Sequence, residues 1–343
     1  MKGVPVRAQP AGLLFFIAWS ASVLNSASIH SSKYSMEYAR AGVGARAEGL
    51  GNAGTAVVRD VTSLYWNPAG LASISEWQCH ATHSERFAGA VNVDFLGAAV
   101  PFAGRSAIGL GIYRLGVDGI PITRLTDPAK PIRYLDPDGT WQTNRPYVDH
   151  YVNDQEFTFL LSYSYRKSSR FAYGVNLKSI YKTLEDFSAW GMGLDFGIQF
   201  MPCGNVQLGA VLKDATATFI AWRGGETEWI RPRLRIGAGI PLSLKRFNLL
   251  PVLDAEMGFN RLGAASQLSA GDFDCELHAG LEARYLDRIA IRLGNNANRF
   301  TAGAGFRFSV VSMDYSFSSH PDLGSGHRIS ATLIWNKDRL FRL

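Results

Sequence analysis

The feature that most constrains this chain is an alternation of large apolar residues with small or polar ones, held over lengths that can cross a bilayer. Trp190, Met192, Leu194, Phe196, Ile198 and Phe200 project to one side of an extended strand, and Gly191, Gly193, Asp195, Gly197 and Gln199 to the other. The stretches 171–178, 277–285, 300–308, 311–318 and 328–335 repeat the pattern. Fourteen segments read this way: 78–84, 91–101, 105–115, 155–166, 170–182, 189–201, 204–213, 230–241, 247–258, 273–285, 288–294, 299–308, 310–318 and 327–335. Most are close to the ~9–11 residues that a tilted strand needs to cross hydrocarbon, and longer than the ~5–6 usual in soluble sheets. An even number suits a single-chain bacterial barrel.

The connections support the same reading. Phe102 to Gly104, Lys167 to Ser169, Pro202-Cys203, Ser243 to Arg246 and Leu286-Asp287 are tight. Gly116 to Asp154, Asp214 to Trp229, Phe259 to Asp272 and Ser319 to Gly326 are long. Outer-membrane barrels separate short periplasmic turns from long extracellular loops in this way, which puts both termini in the periplasm. A soluble two-sheet protein would share the alternation but not this asymmetry. No run of ~18 apolar residues offers a membrane-spanning helix, and lipid admits only helices and closed barrels. Trp190, Phe200, Phe171, Tyr181, Tyr285, Phe300, Phe308 and Trp335 fall near strand ends, where rings favour the headgroup level. Charged residues are only 19% of the chain, against roughly 25% in ordinary globular proteins. The expected fold is all-β: a transmembrane antiparallel barrel of about 14 strands over residues 78–335.

The N-terminus reads as an export signal. Lys2 and Arg7 precede the apolar run Ala11 to Leu24, and small residues follow at Ser26-Ala27-Ser28. Residues 1–28 are therefore expected to be a signal peptide, 29–77 a separate segment ahead of the barrel, and 336–343 a periplasmic tail. Net charge is +6 with no Lys/Arg cluster, so nucleic acid is not an expected partner. Cys79, Cys203 and Cys275 are far apart and fit no metal or redox spacing.

The segment before the first strand does not alternate. It contains Gly44-Ala45-Arg46-Ala47, then Gly49-Leu50-Gly51-Asn52-Ala53-Gly54, then Asp60 as a helix N-cap, then Asn67-Pro68-Ala69-Gly70-Leu71-Ala72. Gly49 to Gly54 fits G-x-G-x-x-G, but no strand precedes it and no βαβ unit follows, so a dinucleotide site is excluded. The run resembles instead the N-terminal signature of the FadL-type outer-membrane superfamily, its PorV/PorQ-like branch in particular. Met313 to Phe317 and Asp322 to Ser330 resemble that branch's last hairpin. The resemblance implies a fourteen-strand barrel plugged by its N-terminal segment, residues 29–77, with Gly49, Gly51, Gly54, Asn67, Pro68 and Ala69 as the plug motif. For FadL-like members it implies uptake of fatty acids or other hydrophobic molecules. For PorV-like members it implies a partner role in protein secretion or surface attachment.

Positions expected to face the lumen are rich in charge. Arg231, Arg233 and Arg235 share one face, and Lys178, Lys182, Arg292, Arg307 and Arg328 add to it. Asp195, Asp254, Glu256, Glu276, Glu282 and Asp314 oppose them. This is either a lattice of ion pairs that fills the barrel or a positive ladder that guides an anionic head group, with Arg231, Arg233, Arg235 and Lys178 as its rungs. Gly109 and Gly111 make strand three glycine-rich, and the resemblance makes them candidates for a lateral opening into lipid. Asp136-Pro137-Asp138-Gly139 is a turn without the further ligands of a calcium loop. No G-x-S-x-G or H-E-x-x-H occurs, and His278 reads as a lattice member. The chain is thus expected to be no enzyme and to need no cofactor or metal. It is expected in the outer membrane, taking up small hydrophobic molecules, with a PorV-like scaffold as the alternative.

Overall fold

The structure, a computed structural model, describes residues 41–259, 266–320 and 324–335. The expected signal peptide and tail lie outside them. Fourteen antiparallel strands form the wall: β1 Trp77–Arg86, β2 Val91–Phe102, β3 Ser106–Leu125, β4 Pro146–Arg166, β5 Phe171–Leu184, β6 Phe187–Phe200, β7 Gln207–Lys213, β8 Arg233–Gly239, β9 Phe247–Gly258, β10 Phe273–Tyr285, β11 Ile289–Asn296, β12 Arg299–Phe308, β13 Val311–His320 and β14 Gly324–Trp335. Each pairs with the next, and β1 pairs with β14 from Trp77↔Trp335 to Glu85↔His327, so the sheet closes with no free edge. Each of the fourteen alternating segments corresponds to one of these strands.

Alternation places the side chains. On β2, Phe95 points inward and is 2% exposed, while its neighbour Leu96 points outward and is 61% exposed. Leu110, Phe159, Ile198, Ile236, Ile291 and Ile329 continue the outer apolar band around the ring. Aromatic pairs bound this band. Trp77–Trp335, Phe171–Phe200 and Phe247–Tyr285 lie towards the short turns, with ring centroids 6.1, 6.4 and 5.0 Å apart. Trp190–Phe219 and Phe219–Trp229 lie towards the long loops. No helix among the described residues is long and apolar enough to cross a membrane; the outward apolar band is carried by strands.

Two strand boundaries depart from the expected ones. β3 and β4 run well past Leu115 and back before Gln155, paired through Leu125↔Pro146 with register shifts after Val117 and after Ile122. Beyond the lipid both faces of this hairpin meet water, so nothing enforces alternation there. Its tip carries a small antiparallel pair, Arg133–Leu135 with Trp141–Thr143. The second departure is at β7. It pairs with β6 over Phe196–Phe200, and Thr218–Trp222 resumes the same edge at Ala189–Met192. Between them Asp214 to Ala217 form a turn, with φ of 56° at Asp214 and 54° at Ala217.

Candidate functional site

Residues 41–74 wind through the lumen with little regular structure: helices α1 Ala45–Gly49 and α2 Ser63–Trp66, then a 3₁₀ turn Pro68–Ser73. Almost all of this segment is buried. Buried backbone needs hydrogen-bond partners, and inward wall side chains supply them. Ser330 Oγ accepts from Ala45 N–H (3.2 Å), Thr301 Oγ1 from Gly51 N–H (3.1 Å) and Asp254 from both Thr55 N–H and Oγ1. Trp66 Nε1 donates to Val43 O.

The Asn67-Pro68-Ala69 motif is the main junction with the wall. Asn67 Oδ1 accepts from Ala69 N–H at 3.1 Å and so caps the 3₁₀ turn. Its Nδ2 donates to Thr55 O at 2.9 Å and to Ile198 O of β6 at 3.0 Å. Three inward glycines make the recess. A Cβ at Gly174 would meet the Pro68 and Ala69 backbone, one at Gly197 would meet Asn67 Oδ1, and one at Gly209 would meet Thr55 O. The glycine run packs the opposite wall: Gly49 lies against Gly303, and Gly51 (φ 67°) lies against Ala279 O and Asn295 O. Gly54 fits beneath Val58 and Trp66. Asp60 stands ahead of the N-cap Thr62, and its Oδ1 accepts Thr62 N–H at 2.9 Å.

The charged residues form a lattice. Arg235 meets Asp254 and Glu256, each at 3.0 Å, donates to Asn52 O, and lies over the Trp66 ring. Arg233 meets Glu256 at 3.1 Å and Asp214 at 3.8 Å. Lys178 meets Asp195 at 2.7 Å and also Asp214. Glu282 receives Arg46, Arg284 and Arg292. Arg328, fully buried, donates to Ala41 O and stands 3.6 Å from Glu48, whose Oε2 accepts from Ser316. Ion pairs thus tie the internal segment to the wall on several sides. Buried His278 joins Asn296.

Two expected site assignments change. Arg231 does not share the inward face of Arg233 and Arg235. It lies in the break before β8, is exposed, and donates to Phe259 O. The break shifts it out of the alternation that its sequence spacing implies. Gly109 and Gly111 sit in an unbroken ladder, paired with Ala99 and Gly97 on one side and with Ser162 and Leu160 on the other. They make room for Leu64 and Leu71 rather than opening the wall. The wall's deep interruption is at Asp214–Ala217 instead.

The lumen is chemically two-sided. Most of the lattice lies on β8–β14, and Lys178, Lys182, Glu156, Asp195 and Asp214 carry it onto β4–β6 and the turn after β7; β2–β5 and the Thr218–Trp222 strand bring Phe95, Tyr113, Leu160, Ile180 and Ile220 into a cluster with Val61, Leu64 and Leu71. Half-buried Tyr65, Val91, Leu115 and Trp222 cover that cluster on its long-loop side. Beneath lies a cavity of about 40 Å³, which shares Leu64, Tyr65, Tyr113 and Leu160 and is bounded on its polar side by Lys178, Lys213 and Arg233 together with Asp195 and Asp214. Lys213 escaped the sequence reading. Its ammonium stands 4.2 Å over the Tyr65 ring and 5.5 Å from that of Trp66, with no carboxylate at ion-pair distance among the described residues. Lys178, Lys182, Arg233, Arg235 and Arg292 all have one.

No protein-family model matches the sequence, and no curated protein sequence is similar to it. Solved structures are similar in fold. The Ralstonia pickettii toluene transporter TbuX aligns over 85% of this chain and 97% of its own, at 12% identity and a TM-score of 0.54. The monoaromatic hydrocarbon channel CymD aligns over 86% and 98%, at 13% identity and a TM-score of 0.58. The Pseudomonas putida toluene transporter TodX aligns over 86% and 99%, at 11% identity and a TM-score of 0.55. These neighbours are transport proteins, not enzymes. The chain has a closed fourteen-strand barrel of the same fold as these transport proteins.

Proposed function

We propose that this barrel takes up small hydrophobic molecules, and that those with an acidic head, fatty acids first, are its preferred class. The observation that carries the reading is the apolar floor of Tyr65, Val91, Leu115 and Trp222, continuous with a cavity where one cation lacks a carboxylate partner. The head group would meet Lys213 and the chain would lie along Leu64, Tyr113 and Leu160. Ligand sites usually enclose about 300–1,000 Å³, far more than this cavity, so passage requires residues 41–74 to shift as a plug. The interruption at Asp214–Ala217 borders the same cavity and is the proposed place of any exit through the wall.

The test is binding of a fatty acid and of its methyl ester to the refolded barrel. Lys213→Gln is expected to weaken the acid about tenfold or more, as loss of a charge-assisted contact does, and to leave the ester unchanged. Equal losses for both would remove Lys213 from the head-group site. Absence of saturable binding at any chain length would overturn the transport reading. It would favour a PorV-like scaffold, which rests on one observation: Ile132, Leu135, Trp141 and Tyr151 stand exposed on the β3–β4 hairpin.

A further inference from the structure

The rim at the short turns is strongly basic. Arg105, Lys167, Arg170, Lys245, Arg246 and Arg288 lie in these turns, all exposed, against the single acid Asp287. The described long-loop connections have the opposite balance, with Asp127, Asp136, Asp138, Glu185, Asp186, Asp214, Glu226, Glu228 and Asp272 against Lys130, Arg133, Arg145, Arg223 and Arg231. Within the basic rim lies a cavity of about 30 Å³ between the internal segment and the β4–β5 turn. Arg59, Arg166 and Arg170 line it together with Ser168 and Ser169, and no carboxylate does. Its other side is outward-facing: Phe200 and Leu208 are 41% and 38% exposed to the lipid side.

Arg59 has no ion pair among the described residues. Its Nη2 reaches only Met201 Sδ at 3.6 Å, and its buried Nε has no partner. Burial, then the Arg166 and Arg46 charges, lowers its pKa, as expected of a cation held without a counter-charge. The turn itself is fixed: Lys167 and Ser168 N–H both donate to Phe171 O, Arg170 N–H donates to Ser168 Oγ, and Arg166 donates to Ala72 O.

We propose that this cleft binds the phosphate of an anionic phospholipid headgroup in the leaflet next to the short turns. Guanidinium groups fit phosphate oxygens in pairs, and serine hydroxyls add donors. A free phosphate would satisfy the same groups, but the outward aromatic and aliphatic wall fits acyl chains. The phosphate would bridge Arg59 on the internal segment to Arg166 and Arg170 on the wall. The site is independent of what crosses the lumen.

The experiment titrates the delipidated full-length barrel in detergent with phosphatidylglycerol and follows lipid-bound species by native mass spectrometry. The double variant Arg166→Gln/Arg170→Gln is expected to bind about tenfold or more weakly, from two surface arginines. Arg170 sits in the exposed turn and Arg166 at the end of β4, where it also donates to Ala72 O, and unchanged mobility of the unheated barrel on a gel verifies folding. Arg59→Gln should act in the same direction. Excess inorganic phosphate should leave the lipid bound. Equal lipid retention by wild type and the double variant overturns the site. Displacement of the lipid by inorganic phosphate alone overturns the lipid assignment and leaves a free-anion site.

Discussion

Replacing Gly197 with valine is expected to unseat the internal segment while leaving the barrel closed. A Cβ at Gly197 falls on Asn67 Oδ1 and comes within 2.9 Å of Pro68 Cδ. Neither can retreat, because Asn67 is fully buried and its amide is held by Thr55 O and Ile198 O. Overpacking and the loss of these buried hydrogen bonds should together cost about 3 kcal/mol or more. The wall has no such conflict. Gly197 pairs through its backbone with Gly174 and Val211, and valine is at home in a strand. The variant should therefore keep the slow gel-mobility shift of a folded barrel on heating. It should show raised conductance in planar bilayers and fast proteolysis between residues 41 and 74. The neighbouring outward change Ile198→Val should do neither. A protected segment and unaltered conductance in Gly197→Val would mean that the Asn67 junction does not hold the internal segment.

This junction also marks where sequence reading stops. All fourteen wall strands were legible, because lipid on one face and a packed lumen on the other impose a period of two on every strand. Asn67, Pro68 and Ala69 were legible only as a motif. The partners that give Asn67 its role, Thr55 O and Ile198 O, belong to a loop and to β6, and no local pattern joins them. The glycine run had a readable purpose, close packing, but its counterparts Gly280, Gly294 and Gly303 could be matched to it only through the folded register. Arg231 was misplaced because alternation was continued through a break, and Pro232 beside it was the available warning. Lys213 could have been found by parity, since Gly209 and Val211 precede it on the inward face. That it alone among the cations around the 40 Å³ cavity lacks a carboxylate depends on which strands flank β7, which the sequence does not state.

The lattice and the ladder make opposite predictions at Arg235. Its guanidinium is almost fully buried, joined to Asp254 and Glu256 at 3.0 Å each and to Asn52 O on the internal segment. Asp254 also accepts both hydrogen bonds from Thr55. Arg235→Met leaves Asp254 buried without its cation, while Glu256 keeps Arg233, and should destabilise the barrel by about 3–5 kcal/mol in urea unfolding. Asp254→Asn should also destabilise it. The two changes together should cost less than their sum, with a coupling of about 0.5–3 kcal/mol, because the second removes a charge that the first left uncompensated. A guiding ladder would instead leave Arg235→Met near wild-type stability and weaken binding of an acid relative to its ester. Lys213→Gln is expected to behave in that second way. It strands no carboxylate at ion-pair distance and forfeits only the contacts with Tyr65 and Trp66, about 0.5–2 kcal/mol. Arg235 therefore tests what holds the internal segment, and Lys213 tests the proposed head-group contact. If both variants lost acid binding in the same proportion as stability, the lumen would hold ion pairs alone, and the head-group role would pass from Lys213 as well.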